Sequence, residues 1–329
     1  MTTPQPSPAP PLGLSRVAVR LPRLSEPVDD ILVRAGRGAM ERKMFARVHG
    51  LRTSPTLAPG ERMADLLVAA GRAALDGGPA ALVLYGHTLL ASELDRSGPA
   101  LDVLRSRLGV EAGRFYGLSH VNCASVLRAV ELARRYLGRP GAGPAERVLV
   151  LGGDQGSSYQ GLSRVIPGVA VAGDAAVGVV VQAATADTAP RYRYLGGAAG
   201  RDTRFHRNLR MSPEEAAAFN EVCCEETVAT MRRAVRAAGL TLDQVDWVMP
   251  HLSNRMFWGK VSRRSGIPKD RMCLDLIPER GHNFGTDAFM ALEHAERSGL
   301  LRPGERCVLV AIGQGAYFQS MVVEVKEDA

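Results

Sequence analysis

Three segments of the sequence contain residues whose types and positions could support catalysis. Cys123 lies in the first of them. It directly precedes a long apolar stretch with helical spacing, in the segment NCASVLRAVELA. A thiol at a helix N-terminus meets free N–H groups and the positive end of the helix dipole, and both favour the thiolate. We therefore consider Cys123 a candidate nucleophile. A buried structural cysteine is the competing interpretation.

His251 is the second candidate, and it ends the apolar run WVMPH. The carboxyl ends of strands are where open α/β sheets place their functional sites. Asn254, three residues later, could fix the loop or orient the imidazole ring. A histidine satisfied within the core is the alternative interpretation of His251.

His282 and Asn283 form the third candidate, inside the glycine-containing segment ERGHNFGTDAF. Glycines allow the backbone to approach a ligand closely. The alternative is a helix-capping turn, in which Asn283 or Thr286 caps the helix and His282 takes no part. A cysteine combined with histidines predicts acyl transfer through a thioester intermediate.

Composition and charge limit the classes of function. The 329 residues are 46% hydrophobic and 23% charged, which is ordinary for a globular domain. Five scattered cysteines match neither a disulfide framework nor a zinc site, so we expect no metal and a cytoplasmic location. We expect no nucleic acid and no membrane, because binding motifs and long apolar runs are lacking. The net charge of +7 suits an acidic partner or a phosphorylated cofactor arm.

Short apolar runs alternate with amphipathic stretches, which predicts an α/β chain with helices covering a sheet. Strands are predicted at residues 81–86, 147–153, 176–182, 245–251, 307–313 and 320–325, and helices at residues 60–75, 212–239 and 286–299. Ser212 and Glu215 have the spacing of a capping box, with Pro213 in the first turn. The last two strands should form a hairpin. The proline-rich residues 1–16 are predicted to be a loose tail.

Several segments resemble, in order, the β-ketoacyl-acyl-carrier-protein synthase III family of condensing enzymes. NCASVLRAVELA resembles the nucleophile helix, AGDAAVGVVVQ a GDGAGAVVL-type strand, DQVDWVMPHLSN the DIDWVVPHQAN block, and LLRPGERCVLVAIGQGAYFQSMVVEV the C-terminal hairpin. The resemblance covers roughly residues 40–327. It implies a homodimer with a thiolase-like five-layer α/β/α/β/α fold. Two similar halves, residues 1–185 and 186–329, would divide near residues 184–193.

The resemblance also implies roles for the three candidates. Cys123 would accept the acyl group, and His251 would be a general base or hydrogen-bond donor during condensation. The family has asparagine directly after the glycine of its third motif, where this chain has His282 followed by Asn283. GHNFGTDA is closer to the GHSLGAAG motif of the elongating condensing enzymes, which pair cysteine with two histidines. We therefore expect His282 to face the thiol and Asn283 to bond to backbone.

Other departures from the family pattern favour a specialised enzyme of polyketide or fatty-acid-derived biosynthesis over the housekeeping initiator. Asn122 stands where a small residue is usual, and it could narrow or polarise the acyl tunnel. His87 replaces part of a Thr/Ser-rich stretch and should also face the site; residues 85–116 should line the acyl pocket. The expected oxyanion hole consists of backbone N–H groups near Cys123 and from Gly313, Gln314 and Gly315.

The expected reaction is a decarboxylative condensation. An acyl group from coenzyme A or an acyl carrier protein would acylate Cys123, and a malonyl-type carrier thioester would lose carbon dioxide and attack it. His251 and His282 would stabilise the enolate. We expect no permanently bound cofactor, since coenzyme A or phosphopantetheine thioesters are the substrates. Candidate docking residues for the carrier or coenzyme A are Arg255, Lys260, Arg263 and Arg264, for which a solvated basic helix is the alternative.

Two other functions remain open. Some proteins of this fold only move an acyl group from a carrier or coenzyme A to another acceptor, without decarboxylation. A catalytically inactive subunit of a heterodimer is the third possibility, which the combination of Cys123 with two histidines disfavours.

Overall fold

Nine strands form one continuous sheet, and several of its interior strands are apolar on both faces because helices cover both sides. The computed structural model describes residues 11–89, 98–111, 114–158, 164–185, 189–207 and 210–327. The described strands are β1 Leu12–Arg20, β2 Leu24–Pro27, β3 Thr53–Thr56, β4 Leu82–Gly86, β5 Phe115–Leu118, β6 Arg147–Gln155, β7 Val165–Ile166, β8 Ala170–Val171, β9 Asp174–Ala183, β10 Tyr192–Arg201, β11 Trp247–Met249, β12 Arg306–Gly313 and β13 Tyr317–Val325. All but one of the β9 residues are buried.

The order of strands in the sheet is β11-β12-β13-β10-β1-β9-β6-β4-β5. Pairing in the first part of the chain is antiparallel for β1 with β9 and β9 with β6, then parallel for β6 with β4. The second part repeats this pattern with β10, β13, β12 and β11. Strands β1 and β10 join the two groups through the pairs Gly13 with Arg193 and Leu14 with Tyr192. The strand pattern is thus duplicated along the chain.

Helices form three layers around and between the two groups of strands. The described α-helices are α1 Val28–Arg34, α2 Ala39–Met44, α3 Met63–Leu75, α4 Gly98–Leu108, α5 Ser125–Leu137, α6 Pro213–Ala237, α7 Arg255–Ser265, α8 Ile277–Arg280 and α9 Asp287–Arg297. Helix α3 packs on the face of β4 that carries Val83 and Tyr85, and α5 packs on the opposite face. Helices α5 and α9 each contact both groups of strands, and α6 covers β10 and β13. The order of layers is therefore helices, first group of strands, helices, second group of strands, helices.

Most predicted elements are confirmed, with shifts of a few residues at their ends. Ser212 and Glu215 form the predicted capping box at the start of α6, with Pro213 as its first residue. Strands β12 and β13 form the predicted antiparallel hairpin. The strand predicted at residues 245–251 is shorter, since only Trp247–Met249 pairs in the sheet. None of the described helices has the length and apolar character required to cross a bilayer.

The prediction that residues 1–16 form a loose tail is wrong for its last part. Residues from Leu12 onwards belong to β1, which lies in the middle of the sheet between β10 and β9. The prolines nearby obscured an apolar strand that follows them directly. Residues 1–10 lie outside the described part of the chain, as do residues 186–188 of the predicted boundary between the halves.

Strand β10 was not predicted, because its sequence YRYLGGAAGR is rich in glycine and weak in strand-forming residues. The structure gives the reason for one of these glycines. A Cβ at Gly196 would lie 2.6 Å from the backbone nitrogen of Ala238, at the end of α6. Glycine at this position therefore allows α6 to pack directly on the strand.

Candidate active site

Cys123 lies in a tight turn that leads into α5. One turn of 3-10 helix, Asn122–Ala124, directly precedes Ser125, the first residue of α5. The cysteine is buried, with 7% of its surface exposed. The dipole of α5 favours negative charge at this position.

His282 lies beside the thiol, and Asp287 lies behind His282. The Nε2 atom of His282 is 3.5 Å from the Sγ atom of Cys123. Its Nδ1 atom is 2.6 Å from the Oδ2 atom of Asp287. The side chains of His282 and Asp287 are both 2% exposed. The three residues form a continuous line of thiol, imidazole and carboxylate, the arrangement that activates a thiol nucleophile.

Asp287 also holds the two loops that carry the histidines. Its Oδ2 atom accepts a hydrogen bond of 2.8 Å from the backbone N–H of Leu252, the residue after His251. Its Oδ1 atom accepts one of 2.7 Å from the backbone N–H of Asn283, the residue after His282. As the first residue of α9, the carboxylate also meets the positive end of that helix dipole. One buried carboxylate therefore fixes both histidine loops.

His251 packs against His282. The ring centroids of the two histidines are 4.3 Å apart, with an angle of 53° between the ring planes. The Nδ1 atom of His251 is 3.8 Å from the Oδ2 atom of Asp287 and has no hydrogen-bond partner among the described residues. The carbonyl oxygen of His251 accepts a 2.7 Å hydrogen bond from the indole N–H of Trp258, which anchors the loop to α7.

The two histidines have opposite charge preferences, although both are buried. Burial alone would lower the pKa of His282, but the charge of Asp287, its hydrogen bond and the neighbouring Cys123 thiol outweigh burial and raise that pKa to about 10. Burial, followed by the charge on His282, lowers the pKa of His251 well below its usual value. At neutral pH the site therefore holds one imidazolium and one neutral imidazole. Environments that separate two pKa values in this way are typical of acid–base assignments in enzymes.

Asn122 connects the nucleophile turn to the hairpin of β12 and β13. Its side-chain Nδ2 donates a 2.7 Å hydrogen bond to the backbone oxygen of Gln314, between the two strands. Its own φ is +50°, in the left-handed region that asparagine tolerates better than most residues. A Cβ at Gly313 would lie 2.1 Å from the carbonyl oxygen of Val121, so only glycine allows this approach. The oxyanion role of the backbone at Cys123 and Gly313–Gly315 stays a prediction.

Asn283 bonds to backbone rather than to the thiol. Its Nδ2 atom donates to the carbonyl oxygens of Arg280 at 3.0 Å and Gly281 at 3.2 Å. Neither Asn283 nor Thr286 caps a helix through its side chain, so the interpretation of this segment as a simple capping turn is wrong. The side chain of Thr286 donates instead to the carbonyl oxygen of Asn283, at 2.6 Å.

Asn254 has a structural position at the start of α7. Its Oδ1 atom accepts a 2.8 Å hydrogen bond from the backbone N–H of Phe257, as an N-cap does. Its Nδ2 atom donates to the carbonyl oxygen of Val169, also at 2.8 Å. Asn254 thus fixes the loop after His251, one of the two roles the sequence suggested.

His87 and Asp154 form a second buried group of titratable residues. The His87 ring stacks on Tyr85 at 4.8 Å, and its Nδ1 atom is 3.2 Å from the carbonyl oxygen of Leu89. Asp154 accepts backbone hydrogen bonds of 2.8 Å from both Thr88 and Leu89. Burial raises the pKa of Asp154 to about 6, against the opposing effects of these hydrogen bonds and of His87 and His282. A role for His87 in the reaction stays a prediction.

The four basic candidates for docking lie on α7. They are Arg255, Lys260, Arg263 and Arg264. Arg255 begins the helix and packs so closely on Gly50 that a Cβ there would lie 2.8 Å from its Cδ atom. Arg264 pairs with Glu225 at 2.9 Å. The ten residues from Arg255 to Arg264 span roughly 14 Å of helix. The docking role stays a prediction. Of the predicted pocket-lining region, residues 90–97 and 112–113 lie outside the described residues.

Within the part of the chain that the structure describes, one group of side chains has the spacing of a metal site. The ligand atoms of His251, His282 and Asp287 all lie within 4.8 Å of one another. The 2.6 Å hydrogen bond between His282 and Asp287 accounts for most of this proximity without an ion. The expectation of a metal-independent site stays a prediction.

Comparison with known proteins identifies the family. A family model described as 3-oxoacyl-[acyl-carrier-protein (ACP)] synthase III C terminal matches residues 235–325. The β-ketoacyl-[acyl-carrier-protein] synthase III of Dinoroseobacter shibae is 30% identical over 304 residues, which cover 87% of this chain and 88% of that protein. The protein of the same name from Paracoccus denitrificans is 30% identical over 319 residues, or 89% and 90% of the two chains. The chain belongs to the β-ketoacyl-acyl-carrier-protein synthase III family.

Solved structures confirm the fold of this synthase III family member. ChlB3, described as an acyltransferase, superposes with a TM-score of 0.82 at 19% identity over 96% of this chain and 98% of that one. FabH from Pseudomonas aeruginosa superposes with a TM-score of 0.79 at 20% identity, over 97% of this chain and 99% of that one. OleA from Xanthomonas campestris, solved with lauric acid and lauroyl-CoA, superposes with a TM-score of 0.78 at 16% identity, over 96% of this chain and 99% of that one. The thiolase-like α/β architecture expected from the sequence is confirmed.

Sequence reasoning missed Asp287, the residue on which the geometry of the site depends. An acid in the first turn of a helix is ordinarily explained by the helix dipole, so Asp287 carried no distinct signal. Its spacing of five residues from His282 became meaningful only when the backbone turn between them was known. The only hint in the sequence was the presence of an aspartate in a segment that had already been selected for its histidine.

We expect Asp287→Asn to remove a pH-dependent part of the stability. The pKa of His282 is about 10 in the folded chain against a usual 6.5. The stability that protonated His282 contributes beside Asp287 is therefore complete below about pH 6.5 and is lost as the pH rises through about 10. The free energy of unfolding should fall by about 3 kcal/mol near pH 6, the scale for breaking a buried pair. The difference from wild type should shrink toward pH 10.

Chemical denaturation at several pH values measures this difference. Asp270 is exposed, so Asp270→Asn is a matched control that should change stability by less than about 0.5 kcal/mol throughout. An Asp287→Asn effect of constant size from pH 6 to 10 would contradict the assignment.

We expect Asn122→Gly to slow acylation of Cys123 by thioesters roughly 10- to 100-fold, the scale on which small misplacements act. Glycine suits the left-handed φ at this position. It has no side chain to donate a hydrogen bond to Gln314, so the hairpin is no longer hydrogen-bonded through this side chain to the turn that carries Cys123. Alkylation by iodoacetamide involves no oxyanion and should change less than about threefold, since helix dipole and imidazole remain. Equal losses in both reactions would show that Asn122 acts on the thiol itself.

Proposed function

We propose that this family member forms an acyl thioester on Cys123 and joins it to a malonyl-type carrier thioester with loss of carbon dioxide. The observation that carries the proposal is the line from Cys123 through His282 to Asp287, with distances of 3.5 and 2.6 Å. A thiol at a helix N-terminus next to a charged imidazole has the surroundings of a nucleophile. A purely structural cysteine does not need such neighbours.

In the first half-reaction Cys123, as a thiolate paired with the His282 imidazolium, attacks the carbonyl carbon of the acyl donor. The bond from carbon to Cys123 forms, the bond to the donor sulfur breaks, and the imidazolium of His282 gives its Nε2 proton to the leaving thiolate. Asp287 orients His282 and balances its charge during this transfer. Backbone N–H groups of Cys123 and of the Gly313–Gly315 turn would hold the negative oxygen.

In the second half-reaction the malonyl-type thioester loses its carboxylate as carbon dioxide, and the resulting carbanion attacks the acyl carbon. A carbon–carbon bond forms, and the electrons of the carbon–sulfur bond return to Cys123. Beside Asp287, His282 regains a proton from solvent and offers Nε2–H to the enolate oxygen. Neutral His251, 4.3 Å away between ring centroids, would supply the second contact.

One observation favours a second candidate, acyl transfer to a hydroxyl, amine or thiol without decarboxylation. Once His282 has given its proton to the donor thiolate, its neutral imidazole, backed by Asp287 at 2.6 Å, is the general base that such acceptors require. ChlB3, which shares the fold, is described as an acyltransferase. The two candidates share the acyl-enzyme and differ in the second half-reaction.

The acyl donor in this proposal is a thioester of an acyl carrier protein or of coenzyme A. The four basic residues of α7 and the net charge of +7 support docking of an acidic or phosphorylated donor. Replacement of the family's asparagine by His282 supports a role in specialised biosynthesis. No bound cofactor takes part in either half-reaction.

Intact-mass spectrometry with trapped carbon dioxide tests the proposal. The wild type, incubated with acyl-coenzyme A or acyl carrier thioester, should gain one acyl group, and Cys123→Ala should gain none. Cys307→Ala is a matched control, since Cys307 is buried in β12, and it should acylate like wild type. Adding a malonyl carrier thioester should release one equivalent of carbon dioxide per product.

Each result separates the candidates. An acyl adduct that reacts with alcohols or amines but releases no carbon dioxide would establish the acyltransferase instead. Absence of any adduct would support the inactive subunit of a heterodimer. Comparison of the two donors shows whether a carrier protein or coenzyme A loads the site.

We further propose a homodimer, as the family resemblance implies. Among the described strands β5 lies at one end of the sheet, and Tyr116 on it is 55% exposed. An edge strand with an exposed aromatic side chain is a surface on which a second copy can pack. Light scattering at micromolar concentration should give twice the chain mass of 35.2 kDa, and a monomer would contradict the proposal.

A further inference from the structure

A large cavity opens between the C-terminal ends of α6 and α7. Its volume is about 930 Å³, within the range of roughly 300–1,000 Å³ that organic ligands occupy. Its walls come from the last turns of α6 and from the two segments that follow the helices, residues 240–245 and residues 265–271. The described residues that line the cavity are distinct from those of the candidate active site.

The cavity and His251 lie at opposite ends of β11. Val245, which lines the cavity, comes two residues before this strand, and His251 comes two residues after it. An extended chain of this length spans roughly 20 Å. A ligand in the cavity would therefore occupy a surface separate from the thiol and the two histidines.

The floor of the cavity is apolar. Val235, Val245 and Ile267 are buried there, and the half-buried side chains of Leu240 and Leu242 pack against the same core. Apolar surface that stays open to solvent gains free energy when the hydrocarbon or aromatic part of a ligand covers it. The floor therefore suits an apolar group rather than a bare ion.

Four arginines line the same cavity. They are Arg232, Arg233, Arg236 and Arg271. Within the described ranges none of the four has a carboxylate at salt-bridge distance, whereas the nearby Arg264 pairs with Glu225. The hydrogen bonds of Arg233 and Arg232 go to neutral oxygens, namely the hydroxyl of Thr230 at 2.7 Å and the carbonyl of Arg264 at 3.4 Å. The guanidinium charges therefore remain available to an anion.

Nearby negative charge does not balance the four lining arginines. The C-termini of α6 and α7 each carry about half a negative charge, which is the ordinary reason for a basic residue in a last turn. Among the described residues that line the cavity, Asp243 has the one carboxylate, and the Thr241 hydroxyl beside it holds the pKa of that carboxyl below its usual value. The helix ends and Asp243 together supply about two negative charges against four positive ones. An excess of about two positive charges therefore remains.

We propose that this cavity is a binding site for a phosphate ester of an apolar or aromatic group. Guanidinium groups bind phosphate oxygens through pairs of parallel N–H donors. A phosphate monoester carries a charge of about −1.5 to −2 and three acceptor oxygens, which matches the positive excess, whereas a carboxylate carries one charge and two oxygens. The apolar floor would cover the group that the phosphate is attached to. The site goes beyond the proposed acyl-transfer function and does not depend on it.

Isothermal titration calorimetry of the full chain with 1-naphthyl phosphate tests the site. The wild type should bind this probe at least about tenfold more tightly than inorganic phosphate, which lacks the apolar group, and than 1-naphthoate, which lacks the phosphate. AMP is a further arm of the titration. Binding of AMP at least as tight as that of 1-naphthyl phosphate would support the site and assign it to nucleotides, and weaker binding would assign it to more apolar esters.

Substitution of the arginines locates the bound probe. Arg232 and Arg236 are exposed and one helical turn apart on α6, so the double variant Arg232→Gln, Arg236→Gln should fold and should bind 1-naphthyl phosphate at least about tenfold more weakly. Arg271→Gln changes a different segment and should weaken binding at least about threefold, which keeps the test valid if the double variant is unstable. Arg72 on α3 is exposed and has no carboxylate partner among the described residues, so Arg72→Gln is a matched control that should change affinity less than about twofold.

Three results would overturn the inference. Equal affinity of the wild type and the cavity variants would place the probe elsewhere on the protein, the candidate active site included. Absence of saturable binding below about 10 mM would show that the arginines hold no phosphate ester. Binding of 1-naphthoate as tight as that of 1-naphthyl phosphate would show that the cavity does not select phosphate.

Discussion

The buried carboxylate of Asp287 is the interaction on which the rest of the site depends. It bonds to the Nδ1 atom of His282 and to the backbone N–H groups of Leu252 and Asn283. A buried charge is costly unless it is paired and fully hydrogen-bonded, and each of these contacts contributes to satisfying it. The same contacts orient His282 toward Cys123, keep it charged, and bring the His251 loop alongside. The charge of His282 and the positions of both histidine loops therefore depend on the same carboxylate.

The site is assembled from parts distant in sequence, and close backbone packing makes this possible. The nucleophile turn before α5 meets the hairpin of β12 and β13 at Gly313, and it meets the histidine turn at Gly285. The Asn122 side chain stabilises the contact at Gly313 by donating a 2.7 Å hydrogen bond to the backbone oxygen of Gln314. Both glycines act through absence of a Cβ, which lets three backbone segments converge on one thiol.

Much of this arrangement could be predicted from sequence, because apolar runs and capping signals are local. The strands around residues 81–86 and 176–182, and the Ser212 cap of α6, follow from patterns within a few residues. Strand β10 could not be predicted, since its glycines are explained by packing against α6. The position of Asp287 also depended on tertiary structure. It is an ordinary first-turn acid until the turn at residues 281–286 places it against His282.

The central claim is that Asp287 keeps His282 as an imidazolium facing Cys123 while His251 stays neutral. A titration by nitrogen NMR of histidine-labelled protein, with each ring assigned by substitution, measures this directly. At about pH 8 the account predicts that both ring nitrogens of His282 carry protons, and that its titration occurs near pH 10. His251 should carry one proton across the same range. Titration of His282 near its usual pKa of about 6.5, with a neutral ring at pH 8, would contradict the account.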